Sequence, residues 1–192
     1  MPLVIKGSSS GQVTVDVPAA AGTNTLTFPA ATGNIITNKT AGTIIQVVNF
    51  TTGASATGTT QMVGDDTIPQ NDEGDEYMTL AVTPTNSSNK LIINVRANVI
   101  HSGTAGSHYG ALFQDSTANA LATAWAAKNA AAHNPTMLVI DHYMTAGTTS
   151  ETTFKFRSGI SVSGTTTFNG VLGARFFGGS FASSITITEV AT

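Results

Sequence analysis

The chain has no cysteine, a single tryptophan and very little charge. Without cysteine it can form neither a disulfide nor a thiolate metal site, and it neither needs nor excludes an oxidising compartment. Charged residues are 10% of the 192 positions, eight Lys and Arg against eleven Asp and Glu, which leaves a net charge of −3. The cations are scattered with no run anywhere, so the clustered basic face of a nucleic-acid binder is missing. No apolar run approaches membrane-spanning length, and membrane insertion is not expected. Met1-Pro-Leu-Val-Ile-Lys6 lacks the basic region and apolar core of a secretory signal, which predicts synthesis as a soluble cytoplasmic chain.

Hydroxyls are abundant instead. Thr and Ser account for 48 residues, a quarter of the sequence, and the branched Cβ of Thr suits a pleated surface. With 41% hydrophobic residues and few charges to oppose association, burial against copies of itself is the expected state.

Residues 1–41 read as a segment apart. Val17-Pro-Ala-Ala-Ala-Gly22 recurs as Phe28-Pro-Ala-Ala-Thr-Gly33, each copy an apolar residue, a Pro that ends a strand and a Gly that permits a turn. Short strands are predicted at Gln12–Val17, Thr25–Phe28 and Asn34–Thr37. So few large apolar side chains cannot build a core, so this segment is expected either to dock on a partner or wind around its own copies, which its regular alternation favours, or to be a flexible tail.

Residues 42–192 read as an all-β, antiparallel two-sheet sandwich. Predicted strands are Thr43–Phe50, Tyr77–Val82, Lys90–Ile100, His108–Phe113, Met137–Met144, Thr153–Arg157, Thr167–Leu172 and Ser184–Val190, eight in all, separated by turn residues such as Asn86-Ser-Ser-Asn89. That is the number expected of a jelly roll. Ala118–Ala132 is open between a helix, favoured by its alanines and stopped by Pro135, and a strand followed by an Ala-rich loop.

The candidate chemistry is sparse. Six of the eleven acids lie in Asp65–Glu76, and Asp65 and Glu76 have the spacing of the first and twelfth ligands of a calcium loop. Pro69 and Gln70, however, stand where a ligand and an obligatory Gly belong, and a solvated acidic loop is expected. Gly7-Ser-Ser-Ser-Gly11 matches a nucleophile elbow but lacks the strand-to-helix context that motif needs. Gly103–Gly110 lacks the Gly-Lys-Ser/Thr of a phosphate loop.

His101, His108, His133 and His142 show no metal spacing, and His101 and His108 read as exposed loop residues. Asp141 and His142 are neighbours on a strand, so they face opposite sides and cannot form a dyad. Asn38, Asn49 and Asn86 head Asn-x-Ser/Thr sequons, about what thirteen Asn in so Ser/Thr-rich a chain give by chance. Trp125, Tyr109 and Tyr143 could stack on a sugar, although core or interface packing is the commoner role of such residues. No catalytic, cofactor-binding or metal-ligating residue is expected, and the chain does not read as an enzyme.

Two stretches carry a resemblance. Thr25-Leu-Thr-Phe-Pro-Ala-Ala-Thr-Gly-Asn-Ile-Ile-Thr-Asn-Lys-Thr40 resembles a run near the start of tailed-bacteriophage fibre proteins. Ala111-Leu-Phe-Gln-Asp115, the Thr153–Arg157 strand, Phe168-Asn-Gly170 and Ser183-Ser-Ile-Thr-Ile-Thr-Glu-Val190 are similar to a recurrent phage virion domain. Gln114 departs from that pattern, which has Arg at its position. The resemblance implies a jelly roll like that of tumour necrosis factor, assembled as a homotrimer on a virion. Residues 1–41 would then dock to other virion proteins, residues 42–192 would project, and a host-surface glycan is a further expected partner. The competing expectation is a capsid or tail decoration protein that stabilises the particle without binding a receptor.

Overall fold

The structure, a computed structural model, describes residues 3–6, 12–15, 41–127 and 132–192. The chain divides into two compact units, Met1–Ile35 and Ile36–Thr192. In the first, β1 (Leu3–Lys6) and β2 (Gln12–Val15) pair antiparallel, from Leu3 opposite Val15 to Lys6 opposite Gln12. β1 had no counterpart among the expected strands. Those expected at Thr25–Phe28 and Asn34–Thr37, the Pro-Ala-Ala repeat and Gly7–Gly11 lie outside the described residues. The Gly7–Gly11 run leads into strand β2, where a nucleophile elbow needs a helix.

The second unit is built from β3 (Ile44–Thr52), β4 (Ala56–Gly58), β5 (Asp75–Val82), β6 (Lys90–His101), β7 (Ser107–Gln114), β8 (Ala122–Ala127), β9 (Pro135–Thr145), β10 (Thr152–Ile160), β11 (Thr166–Phe168), β12 (Gly170–Val171), β13 (Ala174–Arg175) and β14 (Ser183–Val190). Its pairings are nested. β7 pairs β8, β6 pairs β9 outside them, β5 pairs β10 outside those, and β3 pairs β14 outermost, all antiparallel. One long hairpin folded over on itself in this way is a jelly roll.

Lateral pairing of β14 with β6 and of β10 with β7 completes two facing sheets, β3-β14-β6-β9 and β5-β10-β7-β8. β6 is long enough to carry β14 along one part of its edge and β11, with β4 beyond it, along the rest. All eight expected strands are present, and Thr167–Leu172 is split between β11 and β12.

The core lies between the sheets because each long strand alternates. Leu91, Ile93, Val95, Ala97 and Val99 of β6 face inward beside Leu138 and Ile140 of β9 and Ile185 and Ile187 of β14. Phe154 and Phe156 of β10, Leu112 of β7 and Met78 and Val82 of β5 meet them from the other sheet.

The open segment resolves in favour of strand over Ala122–Ala127. Helix propensity loses because β7 offers a full ladder from Ser107–Ala127 to Leu112–Ala122, and Ala122, Ala124 and Ala126 turn half-buried side chains onto the core. Among the described residues no helix is long and apolar enough to cross a membrane.

Candidate functional site

The acidic segment is exposed along most of its length, as its composition suggests, but it is not loose. It folds back over the outer face of β7 and β10 and is locked there by hydrogen bonds. Both Glu73 carboxylate oxygens accept backbone donors, from Val63 at 3.1 Å and from Gln70 at 3.0 Å. Gly74 donates to the Gln61 carbonyl at 2.9 Å, and Ala120 to that of Pro69 at 3.0 Å. Arg157 of β10 donates from Nε to the Glu73 carbonyl and from Nη2 to that of Gly74.

Beneath the loop a second small core forms, with Met62, Ala111 and Phe113 buried and Tyr109 and Ala120 against them. Gly159 is required here for space: a Cβ would lie 2.7 Å from the Thr60 carbonyl oxygen and 2.9 Å from the Met62 nitrogen. Gly159→Ala is therefore expected to lift the loop and cost about 1–3 kcal/mol, measured by urea denaturation.

The carboxylates of this segment serve separate partners, which removes the calcium-loop geometry. Asp65 Oδ1 accepts from the Thr67 nitrogen and hydroxyl, Asp75 accepts from Thr60, and Glu76 faces Lys155 at 3.5 Å and Arg157 at 3.8 Å. Among the described residues no group of three or more His, Asp or Glu is placed to hold a metal ion.

Between this loop and strand β8 lies a cleft of about 180 Å³, lined by Tyr109, Trp125, Asp65, Thr67 and Thr123, with Gly64 and Pro69 at its loop side. Tyr109 and Trp125 are direct cross-strand partners, so their rings share the outer face of the sheet. Trp125 is 65% exposed, an unusual position for an indole in a folded domain. The Tyr109 hydroxyl lies against Gly64, where a Cβ would come within 2.2 Å of it. The Thr67 hydrogen bonds, side chain first and then backbone, hold the Asp65 carboxyl below the usual carboxylate range, so it is ionised at neutral pH. Among the described residues no Lys or Arg lines the cleft.

A second candidate surface is the outer face of the β3-β14-β6-β9 sheet. Opposite the core residues, its strands present cross-strand rows: Val47, Thr188, Ile92 and Tyr143, then Asn49, Thr186, Asn94 and Asp141, then Thr51, Ser184, Arg96 and Val139. Ile44, Val47, Met137, Val139 and Tyr143 are exposed, Tyr143 at 62%. Polar groups on this face pair with one another. Asn94 donates to Asp141 at 2.6 Å, Asn49 to Thr186 at 2.7 Å and Lys90 to Thr145 at 2.7 Å. A further exposed apolar pair, Leu172 and Phe177, stands on turns with positive φ.

The histidines fall differently from expectation. His101 and His108 are buried, their rings edge to face at 6.5 Å, because the 102–106 connection crosses between the two sheets and leaves both flanking strand ends inside. Asp141 and His142 do face opposite sides: Asp141 lies opposite Asn94 on the outer face and His142 opposite Ile93 toward the core. Burial lowers the His142 pKa. Sequence reasoning named Trp125, Tyr109 and the acids separately. It missed that β7–β8 pairing and the folded loop put Trp125, Tyr109 and Asp65 around one cleft.

No family model and no curated protein sequence matches the chain. Among solved structures it is similar to the Eiger TNF of S. frugiperda, at 7% identity and a TM-score of 0.37, with 72% of this chain and 92% of that one covered. It is also similar to VP2 of infectious bursal disease virus in derived T=1 particles, at 13% identity and a TM-score of 0.37, and in a subviral particle, at 10% and 0.36. These alignments cover 98% and 78% of this chain but 44% and 39% of the VP2 chains, so it spans less than half their length. The jelly-roll assignment rests on the nested strand pairing itself.

Proposed function

We propose that the chain is a bacteriophage virion structural protein, a homotrimeric fibre- or spike-type component that projects from the particle and contributes to host-surface attachment. The observation that carries this reading is the outer face of the β3-β14-β6-β9 sheet. Its exposed Ile44, Val47, Met137, Val139 and Tyr143 stand among hydroxyls and amides, with Lys90, Arg96 and Asp141 its main charges. Such a face gains by being covered, and low charge keeps the cost of covering it small.

Association through a closed symmetry covers the face on every copy at once. Residues 1–41 dock the assembly to other virion proteins, and residues 42–192 form the projecting knob. The resemblance of Thr25–Thr40 and Ser183–Val190 to stretches of phage virion proteins supports the same reading. The mechanism is physical: assembly and adhesion, with no catalytic step.

The mass of the full-length chain in solution, by light scattering, tests this. A trimer, at three times the 19.6 kDa chain mass, is the expected result. The chain begun at Gly42 should also be a trimer if the jelly roll carries assembly; a monomer there makes the first forty-one residues the trimerising element. Val47→Lys with Val139→Glu, both on the exposed face, should convert the full-length trimer to monomer while leaving the melting temperature of the monomer unit within a few degrees. A full-length wild-type chain that is itself monomeric overturns the fibre reading and favours a decoration protein bound to the shell.

A further inference from the structure

We propose that the Trp125 cleft is a saccharide subsite that takes a single neutral pyranose ring; this rests on the attachment reading above and supplies its contact point. Three features converge there. Trp125 presents most of its indole to water, and its cross-strand partner Tyr109 adds a second aromatic wall at one side of the cleft. A flat π face beside polar groups suits the apolar face of a sugar, whose C–H bonds cover the ring while its hydroxyls reach outward.

The polar groups are present and partly free. Asp65 spends Oδ1 on Thr67, while Oδ2 accepts no hydrogen bond among the described residues, and Thr123 adds a hydroxyl from β8. An ionised carboxylate with a free oxygen is a strong acceptor for sugar hydroxyls.

Size and charge narrow the ligand. A cleft of about 180 Å³ is below the roughly 300–1,000 Å³ of sites for drug-sized molecules, so it holds one ring of a longer glycan. Asp65 lines it, Asp66 follows in the chain, and among the described residues no cation lines the cleft to answer them, so sialic and uronic acids are repelled and neutral hexoses accepted. The site is pre-formed, because Tyr109 and Trp125 sit on paired strands and the loop is pinned by Glu73 and Arg157. One ring gives weak binding, and several copies on one assembly multiply it.

Trp125 is the only tryptophan in the sequence, so indole emission, excited beyond the tyrosine absorption band, reports on this cleft. Methyl glycosides of glucose, galactose, mannose and N-acetylglucosamine serve as probes, with N-acetylneuraminic acid as the anionic control. At least one neutral glycoside should shift the emission with a Kd of order 1 mM, about −4 kcal/mol, and the acid should not. Asp65→Asn should weaken that Kd at least tenfold. Trp125→Ala, read by saturation-transfer NMR, should abolish binding with the fold unchanged, since the side chain is exposed.

A glycan array run on wild type and Trp125→Ala separates the two levels of the argument. Glycan binding by both proteins overturns the subsite and leaves attachment standing. An array and a fluorescence titration that are both blank for wild type overturn the subsite and remove the glycan from the attachment reading. Preference for the anionic sugar overturns the charge argument and the proposal with it.

Discussion

Glu189→Gln is expected to destabilise the fold by on the order of 3 kcal/mol, which lowers Tm by roughly 6–12 °C in a domain of this size. Glu189 is fully buried near the end of β14, and every donor around it is aimed at a carboxylate. Oε1 accepts from the Thr85 nitrogen at 2.9 Å, the Thr85 hydroxyl at 2.8 Å and Asn89 Nδ2 at 2.6 Å, and Oε2 accepts from Gln46 Nε2. A carboxamide replaces one acceptor by a donor, so at least one neighbour loses its partner and meets another N–H.

The same group sets an acid limit. Burial pushes the Glu189 carboxyl up, but the hydrogen bonds from Gln46, Asn89 and Thr85 outweigh it, and the net pKa lies below the ordinary value of 4.5. A depressed folded-state pKa contributes stability that is present above 4.5 and lost as pH falls through the lower folded value. Urea unfolding of wild type and Glu189→Gln at pH 7 and at pH 3 should therefore show a gap that narrows at the acid end. An equal gap at both would mean that the variant acts through packing and not through the ionised carboxylate.

Asn169→Ala should cost a comparable amount, about 3–4 kcal/mol from three lost hydrogen bonds and the stranded hydroxyl of buried Ser183. Asn169 is fully buried with φ +53°, a conformation Asn tolerates better than Ala. Its Oδ1 accepts from the Ser183 hydroxyl, and Nδ2 donates to the Thr52 carbonyl at 2.7 Å and the Ala54 carbonyl at 3.3 Å. Ser183 in turn accepts from the Asn98 nitrogen at 2.9 Å. The knot ties the end of β3, the middle of β6 and the start of β14 to the turn after β11. Asn169→Gly separates the causes: it relieves the backbone but restores no hydrogen bond, so most of the loss should remain. Pairing Asn169→Ala with Ser183→Ala should give a coupling of 1 kcal/mol or more, as expected for residues in one network. Simple additivity would mean that the two act separately.

These two residues show what could be read from the sequence and what could not. The strands were legible because alternation in runs such as Lys90–Ile100 and Ser184–Val190 is a local signal. Phe168-Asn-Gly170 and Ser183–Val190 stood out as motifs, but that Asn169 and Ser183 meet depends on β14 returning beside β6, which no local pattern encodes. Ala122–Ala127 was ambiguous for the same reason: propensity favoured a helix, and only the free edge of β7 decides for a strand.

His101 and His108 look exposed in a Gly- and Ser-rich context and are buried because of where their connection crosses. The acidic loop shows a similar limit. Its composition predicts the solvation it has, but not that Glu73 and Arg157 are spent on backbone groups that fold it into one wall of the Trp125 cleft.

The position of β3 has a mechanical consequence. Gly42 donates to the Ala191 carbonyl and Ala191 to that of Thr43, both at 2.9 Å, so the strand enters the sandwich clamped to β14. From there the register runs from Val190 opposite Ile44 to Ser183 opposite Thr52. A pull on residue 42 directed along β3 loads the whole ladder in shear, and its bonds must yield together. A pull across the strand would peel them one at a time. If residues 42–192 project from a particle as proposed, a tether through this strand resists drag best when the force follows the strand axis.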